Sequence, residues 1–434
     1  MYKIKPISNI KKKINIPPDK SIFQRAVIIS AILGKKTALY PFITNDDINA
    51  SLNCIKKLGV KLEKKKNSFT IYGEKLYFKI KKDIKLNAKQ SATTLRILSG
   101  VLCGQKFSSY FDAEPSLRKR PMSRITIPLR LMGADITGIK KDSEEYPPLL
   151  INPSKLKGIS YKMPIASAQV KSAILLASLY AEGKTEIFEL HPTRDHTERM
   201  LSLFGVKIKK ENKKIVLDKI KIKSVEKLFI PGDFSSASFF IVLAALLKNS
   251  EVLLKDVNIN PTRTQLLRVL ERMNANIKII NKKRYFEPYG DILVKSSSLK
   301  ATDIRIDEVP LMIDEIPIFC VAASFAEGTS TIYGVKELTV KESNRINSIV
   351  SNLRKIGVDI NVKKFNINKE ENLLIKIRGK KIYKSNIVFE SFSDHRIAMS
   401  MIVLGKVLDG ESYIDNVKYI DKSFPEFVSI IDSL

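Results

Sequence analysis

The sequence predicts an α/β chain of two halves, each holding three β-α-β-α-β-β modules. Three observations carry that expectation. A helix rich in small and apolar residues recurs six times, with markers at Lys20, Ser91, Ser167, Ser235, Asp314 and Asp394, 68 to 80 residues apart. Self-similarity at a near-fixed period marks a repeated architecture and settles the fold before residue detail does. Second, four amphipathic helices stop at Gly59, Gly133, Gly205 and Gly357, where glycine supplies the left-handed cap that ends a helix. Third, Ile16-Pro17-Pro18-Asp19-Lys20-Ser21 is echoed 214 residues later by Ile230-Pro231-Gly232-Asp233-Phe234-Ser235.

Taken in order, the first module opens at that turn. Pro17 and Pro18 break a preceding strand, because each has a fixed φ and no N–H for a ladder. Asp19 or Ser21 then caps a helix over 20–33 that ends at Gly34. The later openings are expected over 91–100, 167–179, 235–246, 314–326 and 394–404. Short alternating stretches follow three of these helices: Thr185-Glu186-Ile187, Thr329-Ser330-Thr331-Ile332 and Ser412-Tyr413-Ile414. Alternation of this kind reads as a half-buried strand. Asn274 replaces the glycine stop in the fourth module. The expected domains are 19–232 and 1–18 joined with 233–434, with hinges near 17–20 and 231–235. A chain that crosses twice between domains predicts hinge closure over a ligand.

With 434 residues, 44% of them apolar, the chain can bury two substantial cores and is not disordered. No apolar run reaches the roughly 18 residues a membrane helix needs. The basic segment 1–13 and the apolar run 26–33 lack a signal-peptide cleavage pattern, so a cytoplasmic location is expected. Cys54, Cys103 and Cys320 have no metal or redox spacing and read as buried free thiols. The formal charge of +30 suits nucleic acid, solvated lysine faces, or anionic small substrates drawn to a positive cleft. The lysine runs at 11–13, 64–66 and 363–364 are short and lack interleaved aromatics. Solvated faces are therefore preferred, and no nucleic-acid partner is expected. No metal-ligand spacing, P-loop or dinucleotide fingerprint is present, so neither metal nor cofactor is expected.

Chemistry-bearing residues cluster at the module entrances. Lys20 and Arg25 lie at the positive end of the first helix, where spare N–H groups already favour an anion. Gln90-Ser91-Ala92-Thr93-Thr94-Leu95-Arg96 is a second polar entrance, though a capped helix with a surface arginine looks the same. Arg118, Lys119 and Arg120 before Pro121 form either a solvated loop or an anion clamp. Ser167-Ala168-Gln169 is followed by Arg194 in Thr193-Arg194-Asp195-His196. Serine and glutamine can bond a phosphate or hydroxyl, and arginine can grip phosphate with two N–H groups. His196 reads as an acid–base or, more simply, as a polar helix cap. Asp314 and Glu315 stand in an apolar stretch, which carboxylates avoid unless paired or functional; helix capping by Asp314 is the plainer alternative. Lys341, Glu342 and Arg345 fall in one turn if that stretch is helical; an ordinary surface ion cluster is the alternative. Asp394-His395-Arg396 opens the last helix, by capping it or by placing Arg396 on an anion, and Lys422 adds a cation beside the turn Ser423-Phe424-Pro425. Many cations with two well-placed acids, Asp314 and Glu342, suit the joining of two anionic substrates by proton transfer.

In this order the motifs resemble those of the 5-enolpyruvylshikimate-3-phosphate synthase family along the whole chain. They are Pro17-x-Asp19-Lys20-Ser21-x-x-x-Arg25, Ser91-x-Thr93-x-x-Arg96, Arg120-Pro121-Met122, Ser167-Ala168-Gln169, Thr193-Arg194-Asp195-His196-Thr197, Met312-Ile313-Asp314-Glu315-x-Pro317, Val340-Lys341-Glu342-Ser343-x-Arg345, Asp394-His395-Arg396-x-Ala398-Met399 and Ser423-Phe424-Pro425. The resemblance implies a two-domain inverse α/β barrel of the enolpyruvyl transferase type. It implies transfer of the carboxyvinyl group of phosphoenolpyruvate to the 5-hydroxyl of shikimate 3-phosphate by addition and elimination, without metal or covalent enzyme intermediate. Lys20, Gln90, Ala92, Arg120, Gln169, Arg345, Arg396 and Lys422 would then meet phosphoenolpyruvate. Lys20, Ser21, Arg25, Ser167, Ala168, Gln169, Arg194, Asp314 and Lys341 would meet shikimate 3-phosphate. Asp314 would take the hydroxyl proton, and Glu342 would protonate the methylene with help from Lys20. A monomer acting on small molecules, with no membrane partner, is expected. Ala92 matches the position where glyphosate-sensitive members carry glycine and some tolerant ones alanine, so tolerance is expected. Pro18, Phe23 and Asn344 depart from the family's usual Gly, Ser and Asp. The loop 113–121 lacks the catalytic cysteine of the related UDP-N-acetylglucosamine enolpyruvyl transferase.

Overall fold

The computed structural model of this chain describes residues 1–367, 370–380 and 383–434. Contacts along it define two compact units, Pro18–Ile230, and Met1–Pro17 with Pro231–Leu434. Among the described residues the strands form six small sheets, three drawn from each unit.

Pro18–Ile230 holds three regular modules. In each sheet the opening strand runs parallel to its neighbour, and the remaining pairs are antiparallel. A parallel pair needs a long crossover, and a helix usually supplies it. The helices of this unit include α1 (Lys20–Leu33), α2 (Asp46–Lys57), α3 (Ala92–Leu102), α4 (Ala168–Ala177) and α5 (His196–Leu203). The first module takes its opening strand, Lys227–Phe229, from the far end of the unit, with Lys227 opposite Ala38. Helices α1, α3 and α4 are apolar nearly all round and buried, as expected of core helices. Gly100 on α3 lies so close to α4 that a Cβ there would meet the Ala173 carbonyl oxygen at 2.2 Å. Only glycine allows that approach, which brings the entrances of the second and third modules together. Phe23, where the resemblance has serine, is fully buried and packs on Phe42 with ring centroids 5.7 Å apart.

The other unit continues with α6 (Phe234–Leu246), α7 (Ile316–Phe325), α8 (Arg345–Lys355) and α9 (His395–Val407). Its fourth module is opened by Lys11–Asn15, parallel to Glu251–Asn258. Among the described residues the fifth opens on isolated bridges at Lys300 and Ile304. In the sixth, Val388–Phe389 runs parallel to Ser412–Ile414, and Tyr2–Ile4 covers the other edge antiparallel. The modules are therefore unequal in this half. Three helices begin one residue inside their expected bounds, because Ser91, Ser167 and Asp394 are caps whose side chains accept backbone N–H bonds. All three cysteines are buried and free.

Candidate active site

In Pro18–Ile230 the entrances of α1, α3 and α4 carry the expected residues. Asp19 caps α1 by accepting from the Ile22 N–H at 3.0 Å. Lys20, the first residue of α1, is buried and its Nζ lies 2.8 Å from Asp47 Oδ2. Arg25 is buried one turn further in and is fully braced: Nε donates to Thr197 Oγ1 at 3.0 Å, Nη1 to the Ser21 carbonyl at 2.9 Å and Nη2 to Ser172 Oγ at 3.3 Å. Gln169 sits in the first turn of α4, capped by Ser167, with Ala168 between them. Its Oε1 accepts from Arg96 Nη1 at 2.8 Å and its Nε2 donates to Thr93 Oγ1 at 3.0 Å. Ala92, the first residue of α3, is 7% exposed. Arg120 and Arg194 lie half-buried in loops. Gln90 is exposed and bonds Glu114 at 3.3 Å.

Two buried residues here escaped sequence reasoning. Asp47 sits in the first turn of α2 and neutralises Lys20. Gln24 Nε2, with two protons to give, lies 2.7 to 3.2 Å from the Asp47 carbonyl oxygen and the hydroxyls of Ser51, Ser91 and Thr94. A polar residue in an apolar helix was the available signal, and it joins the cap of α3 to the entrance of α1.

In the second unit the acids and cations interlock. Asp314 does not cap a helix, since α7 is entered through Glu315 without a side-chain cap. It faces two guanidiniums: Arg345 Nη1 at 3.2 Å and Arg396 Nη2 at 4.0 Å. Arg345 in turn is held by Asp394, Nε to Oδ2 at 2.8 Å and Nη2 to Oδ1 at 3.3 Å. Burial alone would lower the Arg345 pKa, but Asp394, Asp314 and Glu342 outweigh it and hold it above its ordinary value. Glu315 is fully buried on Arg263 Nη1 at 2.9 Å and accepts the Ser235 hydroxyl. The turn expected at 340–345 is not α-helical. A tight turn, Lys336–Val340, ends at Lys341 with extended backbone, and α8 begins at Arg345 behind its cap Asn344. Lys341 and Arg345 therefore share no helix face; Lys341 Nζ points to Glu337 at 3.7 Å. Asn344, despite its departure from aspartate, accepts from the Asn347 N–H at 3.2 Å.

Glu342 lies between His395 Nδ1, 2.8 Å away, and Lys422 Nζ at 3.3 Å. Burial would raise its carboxyl pKa, but His395, Lys422 and Arg345 pull it well below the usual range. His395, expected only to help cap the last helix, is thus a direct partner of Glu342. Among the described residues Glu342, Asp394 and His395 have ligand atoms close enough for a metal ion. Arg345 and Lys422 already neutralise those carboxylates, and a cation would have to displace them.

The family model for EPSP synthase (3-phosphoshikimate 1-carboxyvinyltransferase) matches residues 4–431. The chain is 42% identical over 435 aligned positions to a 3-phosphoshikimate 1-carboxyvinyltransferase of Petrotoga mobilis, covering 99% of this chain and 98% of that one. The Bacillus subtilis protein of the same name is 38% identical, with 99% and 98% covered. Among solved structures, EPSP synthase from Acinetobacter baumannii aligns with TM-score 0.86 and 38% identity over 100% of this chain and 97% of that one. The enolpyruvyl transferase NikO from Streptomyces tendae aligns with TM-score 0.74 at 11% identity, over 100% and 96%, a likeness of fold alone.

Proposed function

We propose a working site from one premise: this chain belongs to the EPSP synthase family of 3-phosphoshikimate 1-carboxyvinyltransferases. It transfers the carboxyvinyl group of phosphoenolpyruvate to the 5-hydroxyl of shikimate 3-phosphate, releases phosphate, and serves chorismate and aromatic amino acid synthesis. The observation that carries the site is Asp314, an acid poised between Arg345 and Arg396. In our assignment Asp314 takes the hydroxyl proton. Lys20, Gln90, Ala92, Arg120, Gln169, Arg345, Arg396 and Lys422 meet phosphoenolpyruvate, and their cations stabilise charge that develops as the phosphate leaves. Lys20, Ser21, Arg25, Ser167, Ala168, Gln169, Arg194, Asp314 and Lys341 meet shikimate 3-phosphate. The depressed pKa of Glu342 supports a refinement: the proton for the methylene is held by the Glu342–His395 pair rather than by Glu342 alone. The domains we assign are 19–232 and 1–18 with 233–434, and the working enzyme is taken as a cytoplasmic monomer. No described helix is long and apolar enough to cross a membrane. A phosphate-release assay tests the site and reaction together. Release requiring both substrates is expected; release from phosphoenolpyruvate alone would exclude the transfer.

The assignment extends to glyphosate tolerance. The buried methyl of Ala92 stands at the start of α3, on the wall assigned to phosphoenolpyruvate. Overpacking by one methyl costs about 1–3 kcal/mol, or about 5- to 150-fold in affinity, against an inhibitor longer than the substrate. Ala92→Gly should therefore tighten the glyphosate inhibition constant by that factor at fixed phosphoenolpyruvate. Equal constants for the two proteins would remove Ala92 as the cause.

A further inference from the structure

Lys171 is completely buried one turn into α4, directly behind Gln169. An ammonium in that position is tolerated only if opposite charge and a polar partner compensate it. Two carboxylates flank it, with Nζ 2.6 Å from Glu198 Oε1 and 3.0 Å from Glu189 Oε1, and Nζ donates to the Thr193 carbonyl oxygen at 3.4 Å. Glu189 follows the strand Thr185–Phe188, and Glu198 lies in the first turn of α5. The segment between them, residues 189–198, carries Arg194. Glu189 also accepts from the Thr193 N–H at 3.1 Å and the Thr193 hydroxyl at 2.6 Å. One ammonium thus ties the start, the middle and the end of the loop to the helix that presents Ser167, Ala168 and Gln169. The next residue, Ser172, bonds Arg25 and pairs with Thr197 at 2.6 Å, so the same helix turn also locks the other end of that anion-facing surface.

We propose that Lys171 is a positioning residue for shikimate 3-phosphate, fixing the Arg194 loop through Glu189, Glu198 and the Thr193 carbonyl. This rests on the assignment of Arg194 to that substrate under the proposed function. Such a buried ion cluster is a poor source of stability compared with apolar packing. Its use is geometric: it sets where the loop carrying Arg194 starts, and a misplacement of about 1 Å can cost about 100-fold.

The test measures shikimate 3-phosphate binding by calorimetry, and separately both KM values and kcat, for four proteins: wild type, Arg194→Ala, Lys171→Met and the double variant. Lys171→Met should weaken shikimate 3-phosphate about 10- to 100-fold. KM for phosphoenolpyruvate and kcat at saturating shikimate 3-phosphate should stay within about threefold. In the Arg194→Ala background Lys171→Met should add less than about twofold, because residues acting through one contact are not additive. Equal losses for both substrates, or full additivity with Arg194→Ala, would overturn the positioning role while leaving the site assignment intact. An unchanged affinity in Arg194→Ala would overturn the assignment of Arg194 and the role of Lys171 with it. Should Lys171→Met fail to fold on its two buried glutamates, Lys171→Met/Glu198→Gln restores the wild-type formal charge of the cluster and carries the same comparison.

Discussion

Asp314→Asn should lower kcat about 100- to 10,000-fold, the usual loss when a positioned acid or base is removed. Asparagine keeps the shape and can still face Arg345 and Arg396, but it cannot take a proton from a hydroxyl. Arg345 retains its two bonds to Asp394 in the variant, so the cation beside position 314 stays in place. The fold should therefore survive, and shikimate 3-phosphate binding should weaken far less than turnover. Phosphate release at saturating substrates, with a thermal unfolding midpoint for each protein, checks both statements. Near-normal turnover would show that another group accepts the proton.

Glu342→Gln should cause a loss of the same order, with an added signature in stability. The Glu342 carboxyl is held well below its ordinary pKa by His395, Lys422 and Arg345 against the opposing pull of burial. A group depressed on folding stabilises the protein above its unfolded pKa and loses that contribution as pH falls through the folded value. The glutamine variant should thus be less stable than wild type at pH 7, by about 1.5–3 kcal/mol for charge-assisted bonds. The gap should narrow only below about pH 4.5, where the unfolded carboxyl takes up its proton. Urea denaturation at several pH values measures it. A gap that widens toward acid would mean that Glu342 is not held ionised. The kinetic arm separates a proton role from a structural one, because a loss confined to KM would leave the Glu342–His395 pair without part in the chemistry.

Much of this molecule was legible before any contact was known. The helix over 20–33 was marked by two prolines, a capping aspartate and a closing glycine, and it runs Lys20–Leu33. Ser91 and Ser167 stand as caps because short hydroxyl side chains at helix entrances satisfy orphan N–H groups. The burial of Cys54, Cys103 and Cys320 was likewise readable from the apolar patterns around them. The stretch at 340–345 stays open in the sequence, because a single turn of charged residues has no periodicity to separate an α-helix from a tight turn and an extended residue. Asp314 was offered as a possible cap and instead faces two arginines.

The sequence by itself determined the repeat, the entrances of the helices, the excess of cations and the short supply of acids. Each of these depends on residues within a turn or two of one another, or on composition alone. Only the tertiary structure decided which charge meets which. Arg345 finds Asp394 49 residues away, Arg263 finds Glu315 at a separation of 52, and Arg25 reaches Thr197 across 172. Lys171 reads in sequence as one more lysine of a basic chain, and its burial among two glutamates exists only once the helix, the strand and the loop have packed. The physical reason is range. Capping and amphipathic patterning act within a few residues, whereas the partner of a buried charge is set by whichever element the core brings within about 3 Å.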